Sequence, residues 1–296
     1  MKKALTHFDL KLIALLAMTF DHIGKILTLF YPTNDSISLI NYIFSIIGRL
    51  AFPLFIFLII EGFYHTHNIK KYFLRLGVLA LVIYVGILVV YYVPTLTNGE
   101  PIIKFGNIFI DLLLTLLFLY FVSKKNYLYH LAIIPIILYF VFFLLIQTNY
   151  ILIDNDVLLG LISGLAPQYA FITPLLLILF YIFTIISNFY TYKKDNTLSF
   201  NEEGLFITPS VIKRSYIYSF SILILIIILY ALTYVEGIDL NTDLVVDSYF
   251  ILAIIPLVFY GGGIGKNSKI IQGAFYLYYP LSLCIIYLVV FLSTII

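Results

Sequence analysis

The run FDLKLIALLAMTFDHIGKILTLFY, residues 8–31, decides the fold. A helix that crosses the hydrocarbon core of a bilayer needs about 20 largely apolar residues, and this run supplies them. Met1-Lys2-Lys3 ahead of it has the charge pattern of a signal-peptide start. No small-residue cleavage site follows, and Asp21-His22 breaks the apolar run, so the segment reads as an uncleaved first span.

Working outward, similar runs occur at 38–63, 71–93, 107–123, 127–147, 168–188, 213–235, 245–260 and 270–294. A further apolar stretch, 151–167, is short and carries Asp154, Asp156, Gly160, Gly164 and Pro167. Of the 296 residues 62% are hydrophobic and 11% charged, and the mean hydropathy is +1.08. A soluble domain uses about 25% charged residues to cover its surface. The bilayer must therefore be the main solvent, with membrane lipid as the surrounding partner. The predicted class is an all-α, polytopic transmembrane helical bundle of nine or ten spans, a single membrane domain over 1–296 with a cytoplasmic loop at 189–213. A net charge of +2 leaves no footprint for nucleic acid. The lone Cys284 excludes an intramolecular disulfide and a cysteine-based metal site, and its apolar setting reads as buried and inert. Lys, Ile and Asn richness points to an AT-rich bacterial genome, hence a bacterial plasma membrane. With Trp absent, Tyr takes the interfacial role.

Lys and Arg favour cytoplasmic loops, which tests the count. With Met1 inside, nine spans put Lys70/Lys71, Lys124/Lys125, Lys193/Lys194 with Lys213/Arg214, and Lys266/Lys269 all inside. The loop holding Glu236, Asp239, Asp243 and Asp247 then falls outside. Counting 151–167 as a full span would strand the Lys193 loop outside, so nine spans are preferred, with 151–167 re-entrant or at the outer interface.

Ionisable residues inside a span cost about 2.5–3.5 kcal/mol each on insertion scales and mark function by default. They concentrate near the start of the chain: Lys11, Asp21, His22 and Lys25, then Arg49 and Glu61. His22 shares a helical stripe with Lys11, Leu15 and Met18. Its imidazole suits a base or a nucleophile, and a structural histidine between helices is the competing reading. Asp21 and His22 are adjacent, yet helix neighbours point about 100° apart, so they do not form a dyad. Asp21 is expected to pair with Lys25 at i+4 or with Arg49 across a helix interface. In Gly48-Arg49-Leu50-Ala51-Phe52-Pro53, the small residues admit another helix, and Pro53 removes the bond to the Arg49 carbonyl and bends the helix. His65 and His67, two apart, do not share a helix face, and with Glu61 they make a weak metal motif. No metal is expected. Lys70, Lys71 and Arg75 read either as a positive-inside anchor or as a phosphate-binding mouth. Gly261-Gly262-Gly263-Ile264-Gly265-Lys266 reads as a plain turn or as a phosphate cradle built on backbone N–H groups. It is no Walker A loop, because no Ser or Thr follows Lys266.

Several of these stretches together resemble the TraX family of membrane acyltransferases. Leu10 to Ala14 leading to Met18-Thr19-Phe20-Asp21-His22-Ile23-Gly24 is similar to the family's opening, and Gly48 to Phe55 to its second-helix motif. Glu61-Gly62-Phe63, His65-Thr66 and Lys71-Tyr72-Phe73-Leu74-Arg75-Leu76 follow in order and spacing. Asn107 stands where the family opens a later helix with Asn, and Phe275-Tyr276-Leu277-Tyr278-Tyr279-Pro280-Leu281 resembles its terminal motif. Ser282 stands where the family usually has a histidine, so any role of that histidine is lost or moved here.

The resemblance implies acetyl transfer from cytoplasmic acetyl-CoA to an amine or hydroxyl on a peptide or glycan acceptor. In that reading His22 is the base or a transient acetyl carrier, Arg49 stabilises developing negative charge, and Asp21 positions Arg49. The donor is held by Glu61, His65, Lys70, Lys71, Tyr72, Arg75, Asn107, Gly262, Lys266, Tyr276 and Tyr279. Intramembrane Asp21, His22 and Arg49 beside a Pro-broken helix also describe an ion- or proton-coupled transporter. A structural protein with a buried ion-pair network is a third reading.

Overall fold

The computed structural model describes residues 4–92, 106–124, 127–152, 156–194, 212–232, 246–266 and 268–295. Its elements are helical: α1 His7–Phe30, α2 Asp35–Gly48, α3 Ala51–His65, α4 Ile69–Tyr92, α5 Ile108–Val122 and α6 Ile133–Leu152, then α7 Asp156–Leu165, α8 Ile172–Lys194, α9 Arg214–Leu232, α10 Ile254–Val258 and α11 Lys269–Ile295. Tyr127–Ala132 and Ser248–Ala253 are tighter 3₁₀ turns leading into α6 and α10. The all-α membrane class is therefore the fold. Among the described residues, seven helical stretches are long and apolar enough to cross a bilayer. The expected spans at 107–123 and 245–260 fall on the shorter apolar helices Ile108–Val122 and Ser248–Val258, so the nine-span count is not confirmed. Of the segment 189–213 read as a loop, residues 189–194 continue α8 and 195–211 lie outside the described residues. So do Glu236, Asp239 and Asp243.

The chain divides into two compact units. The first comprises 1–58, 95–100 and 222–296, the second 59–94 and 101–221. In the first unit α1 starts at a capping box. The Thr6 hydroxyl accepts from the Asp9 N–H at 3.3 Å, and the Asp9 carboxylate accepts from the Thr6 N–H at 2.8 Å. Gly24 lets α2 cross close to α1, because a Cβ there would stand 3.0 Å from the Asn41 main chain. The helix run expected across 38–63 breaks at Arg49-Leu50, a few residues before Pro53. Proline is tolerated in the first turn of a helix, where its missing N–H has no partner anyway, so α3 restarts around it. α11 packs along α1 and leaves Leu277, Leu281, Ile285 and Leu288 exposed. Cys284 is exposed on the same helix, contrary to its reading as buried. An apolar run on a membrane helix faces lipid as readily as core.

In the second unit α4 to α8 pack together, and the break between α7 and α8 lies beside the start of α5. The Asn107 N–H donates to the Ala166 carbonyl at 2.8 Å, and a Cβ on Gly106 would collide with the Gln168 main chain. α7, with 10 residues, is about 15 Å long and too short to span.

Candidate functional site

Asp21 lies about 21 Å along α1, past its middle, counting 1.5 Å per residue. It faces the α2–α3 break. A Cβ on Gly48 would run into the Asp21 side chain, so glycine there is what lets the carboxylate approach. Asp21 Oδ2 receives Lys25 Nζ at 2.5 Å, and Asp21 Oδ1 stands 4.0 Å from the guanidinium of Arg49. Both partners anticipated for Asp21 are present, Lys25 the closer. His22 turns the other way: its ring meets the Tyr279 ring edge-on at 5.5 Å. His22 Nδ1 is buried and has no hydrogen-bond partner among the described residues, and the same holds for Asp21 Oδ1. One turn earlier Tyr278 and Thr19 share a 2.8 Å hydrogen bond. The Thr19 hydrogen goes to the Leu15 carbonyl, so Tyr278 is the donor. The Ser282 hydroxyl donates to the Tyr279 carbonyl at 2.9 Å, a local backbone bond that replaces none of an imidazole's chemistry.

Arg49 has a nearer carboxylate than Asp21. Its Nε lies 2.8 Å from Asp247 Oδ1, with both side chains about one-tenth exposed. The N–H is not aligned on that oxygen, so the contact is an ion pair rather than a directed hydrogen bond. Sequence reasoning put Asp247 in an outer acidic loop. It stands instead at the head of the Ser248–Ala253 turn, which is packed on α3 through Phe250 and Phe52, ring centroids 5.4 Å apart. Its signal was weak: one acidic residue at the edge of a short apolar run.

The glycine-rich turn of this unit caps α1. The Gly263 and Ile264 carbonyls accept from the His7 and Phe8 N–H groups at 2.8 and 3.3 Å, while Gly262 and Gly265 take φ of +81° and +72°. These bonds support the plain-turn reading over a phosphate cradle, since the turn presents carbonyls to α1. Lys266 Nζ lies 6.0 Å from the centre of the Phe8 ring. Tyr276 is half-buried on α11.

The remaining candidates belong to the second unit. Glu61 is buried and takes Arg214 through Nε at 2.6 Å and Nη2 at 3.3 Å, while the guanidinium also stacks 4.3 Å over the Tyr64 ring. His65 Nδ1 lies 2.8 Å from the Glu61 carbonyl. This ties the end of α3 to the start of α9, a structural use of Glu61 that a donor-binding reading did not anticipate. Tyr72 Oη sits against Gly62, where a Cβ would come within 2.6 Å of it. Lys70, Lys71 and Arg75 are exposed at the start of α4. Asn107 is fully buried as the cap of α5. Its amide donates to the carbonyls of Ala80 and Gly164, and its oxygen accepts from the Phe109 N–H. Those bonds make it a structural cap rather than a ligand-facing group. Among the described residues no cluster of three or more His, Cys, Asp or Glu could hold a metal ion.

Asp111, a charge in the later helices to which the sequence alone gives no role, is fully buried on α5. It accepts from the Gln168 N–H at 2.7 Å, the Tyr169 N–H at 3.4 Å and the Thr173 hydroxyl at 2.7 Å.

Comparison with known proteins adds two findings. A family profile described as "TraX protein" matches residues 7–200. The chain is also 38% identical over 76 residues to the probable fimbrial assembly protein FimC, serogroup H1, of Dichelobacter nodosus. That stretch is 25% of this chain and 29% of the relative, well under two thirds of its length. No solved structure matches the chain significantly.

Proposed function

This chain belongs to the TraX family, and on that ground we propose that it is a membrane-embedded acyltransferase that moves an acetyl group from acetyl-CoA to an amine or hydroxyl acceptor. The observation that carries the reading is the polar group set deep in the first unit. There a buried imidazole nitrogen without a hydrogen-bond partner among the described residues adjoins Asp21, which faces Arg49. Buried polar groups are normally satisfied, and an incompletely satisfied set is a place prepared for something else to bind.

In this reading His22 removes a proton from the acceptor as its nitrogen or oxygen attacks the thioester carbonyl. Arg49 stabilises the negative charge that develops on the carbonyl oxygen. The carbon–sulfur bond then breaks, the sulfur leaves with the electron pair, and the proton held by His22 passes to it to give free CoA thiol. In the two-step variant His22 takes the acetyl group first and hands it to the acceptor. Lys70, Lys71 and Arg75 attract the donor's phosphates from the cytoplasm of a bacterium, with the chain in the plasma membrane and its N-terminus inside. The fimbrial assembly named for the D. nodosus relative, together with the family, favours a pilin-type subunit's amino terminus as acceptor, with a glycan amine or hydroxyl as the other class.

The test uses the detergent-purified full chain with labelled acetyl-CoA and a panel of peptide amines and amino sugars. Wild type is expected to bind the donor and release CoA. His22→Ala is expected to keep binding and lose transfer, and Arg49→Ala to lose transfer. Label trapped on the wild-type protein selects the two-step route. A wild-type chain that binds no acetyl-CoA sinks the reading, and the transporter reading would take its place.

A further inference from the structure

Asp247 lies outside residues 7–200, the part of the chain that the family profile matches. It nevertheless lies closer to Arg49 than Asp21 does. We infer that Asp247 is the positioning residue for Arg49, holding its guanidinium by charge at the α2–α3 break so that the group is preorganised for the reacting carbonyl. The inference rests on the acyltransferase reading above and extends it to a part of the chain beyond the profile.

Three observations carry it. First, the edge that Asp247 engages is Nε, 2.8 Å from Oδ1, whereas Asp21 stands off from Nη1 at 4.0 Å. An ion pair at that edge holds the rigid guanidinium by charge on one side, a placement that a point-charge lysine cannot reproduce. Secondly, Asp247 is itself held. It is buried and precedes a turn whose Phe250 packs on Phe52 at 5.4 Å, and further along the same segment Tyr260 packs edge-on against Phe57 at 5.4 Å. These two ring contacts lock the segment in register with the first half of α3, the helix that begins just after Arg49. Thirdly, among the described residues the ion pairs here set Arg49 and Lys25 against Asp21 and Asp247, two cations and two carboxylates. Without Asp247 the array would carry an excess positive charge in an apolar medium, and Arg49 would be drawn toward Asp21.

A guanidinium displaced by about 1 Å costs on the order of 100-fold in rate. Asp247→Asn is therefore expected to lower kcat for acetyl transfer by about 100-fold, with acetyl-CoA affinity unchanged. The double variant Arg49→Lys/Asp247→Asn should be no worse than Arg49→Lys alone, because the two residues act as one unit. Asp247→Glu should recover part of the loss. Independent losses that multiply in the double variant, or a raised KM with unchanged kcat, would overturn the inference.

A second arm needs no activity. The chain has three arginines, Arg49, Arg75 and Arg214, so a spectrum of the full chain labelled with [15N]arginine has three Nε–H signals. Arg49→Lys assigns one of them, and Arg214, paired with Glu61, serves as an internal reference. Asp247→Asn should shift or broaden the Arg49 signal and leave Arg214 in place. An Arg49 signal indifferent to Asp247→Asn overturns the inference whether or not the chain transfers acetyl groups. A chain that binds no acetyl-CoA overturns the acyltransferase reading instead, and the spectrum still decides whether Asp247 orders Arg49.

Discussion

Asp21 in the first unit and Asp111 in the second are both buried on helices, and the two are treated in opposite ways. Asp111 receives two backbone N–H groups and a hydroxyl, all neutral donors. The N–H groups belong to Gln168 and Tyr169, in the non-helical stretch between α7 and α8, where no helix ladder can satisfy them. Backbone in that state is tolerated inside a membrane only when protein takes over the role of water. Asp111 does so, and it is spent in doing so. Asp21 has Lys25 on one oxygen, while its other oxygen has no hydrogen-bond partner among the described residues and faces Arg49 at 4.0 Å. Asp111 completes a structure, whereas Asp21 belongs to an array left partly open. Both are buried; the inventory of donors separates them.

That contrast can be broken experimentally. The largest expected effect on folding is from Asp111→Ala, which leaves the buried Thr173 hydroxyl and two part-buried N–H groups without their acceptor, at up to about 1–3 kcal/mol each. Thermal unfolding in detergent should show a steep loss, while acetyl transfer per folded molecule stays at the wild-type level. A small shift in Tm would remove Asp111 from its structural role. Next comes Gly48→Ala. Its Cβ would overlap Asp21, and overpacking of this kind costs about 1–3 kcal/mol. Transfer should fall with stability here, because Asp21 is pushed from its place; a variant that loses stability alone would mean that Asp21 has no part in the reaction. Asp21→Asn keeps the shape and removes the charge. Lys25 is about one-third exposed, so that pair is worth about 1 kcal/mol or less, and Tm should hardly move. Transfer should nonetheless fall by an order of magnitude or more; equal, small effects on both would erase the difference between the two aspartates. The smallest expected effect is from Lys70→Ala with Lys71→Ala. Exposed substitutions of this type change stability by about 0.5 kcal/mol at most. If these lysines attract the donor's phosphates, KM for acetyl-CoA rises and its salt dependence weakens while kcat holds. An unchanged KM would return them to the anchor reading.

The amino-acid sequence by itself determined the class of the protein and where ionisable residues fall within its apolar runs. Hydropathy and helical periodicity are local properties, so the long spans and the break near Pro53 follow from residues within a turn or two of each other. The split between Asp21 and His22 is of the same kind. Helix geometry sends neighbours to different faces, and the structure turns one toward Gly48 and Arg49 and the other toward Tyr279. Partnerships between helices were decided only by tertiary structure. Arg49 with Asp247, Glu61 with Arg214, Asp111 with Gln168 and Asn107 with Ala80 each join residues whose separation along the chain says nothing about their distance. Hydropathy also could not tell a lipid-facing apolar residue from a buried one, which is why Cys284 was misplaced. Inside a membrane both surroundings are apolar, and only the packing of neighbouring helices distinguishes them.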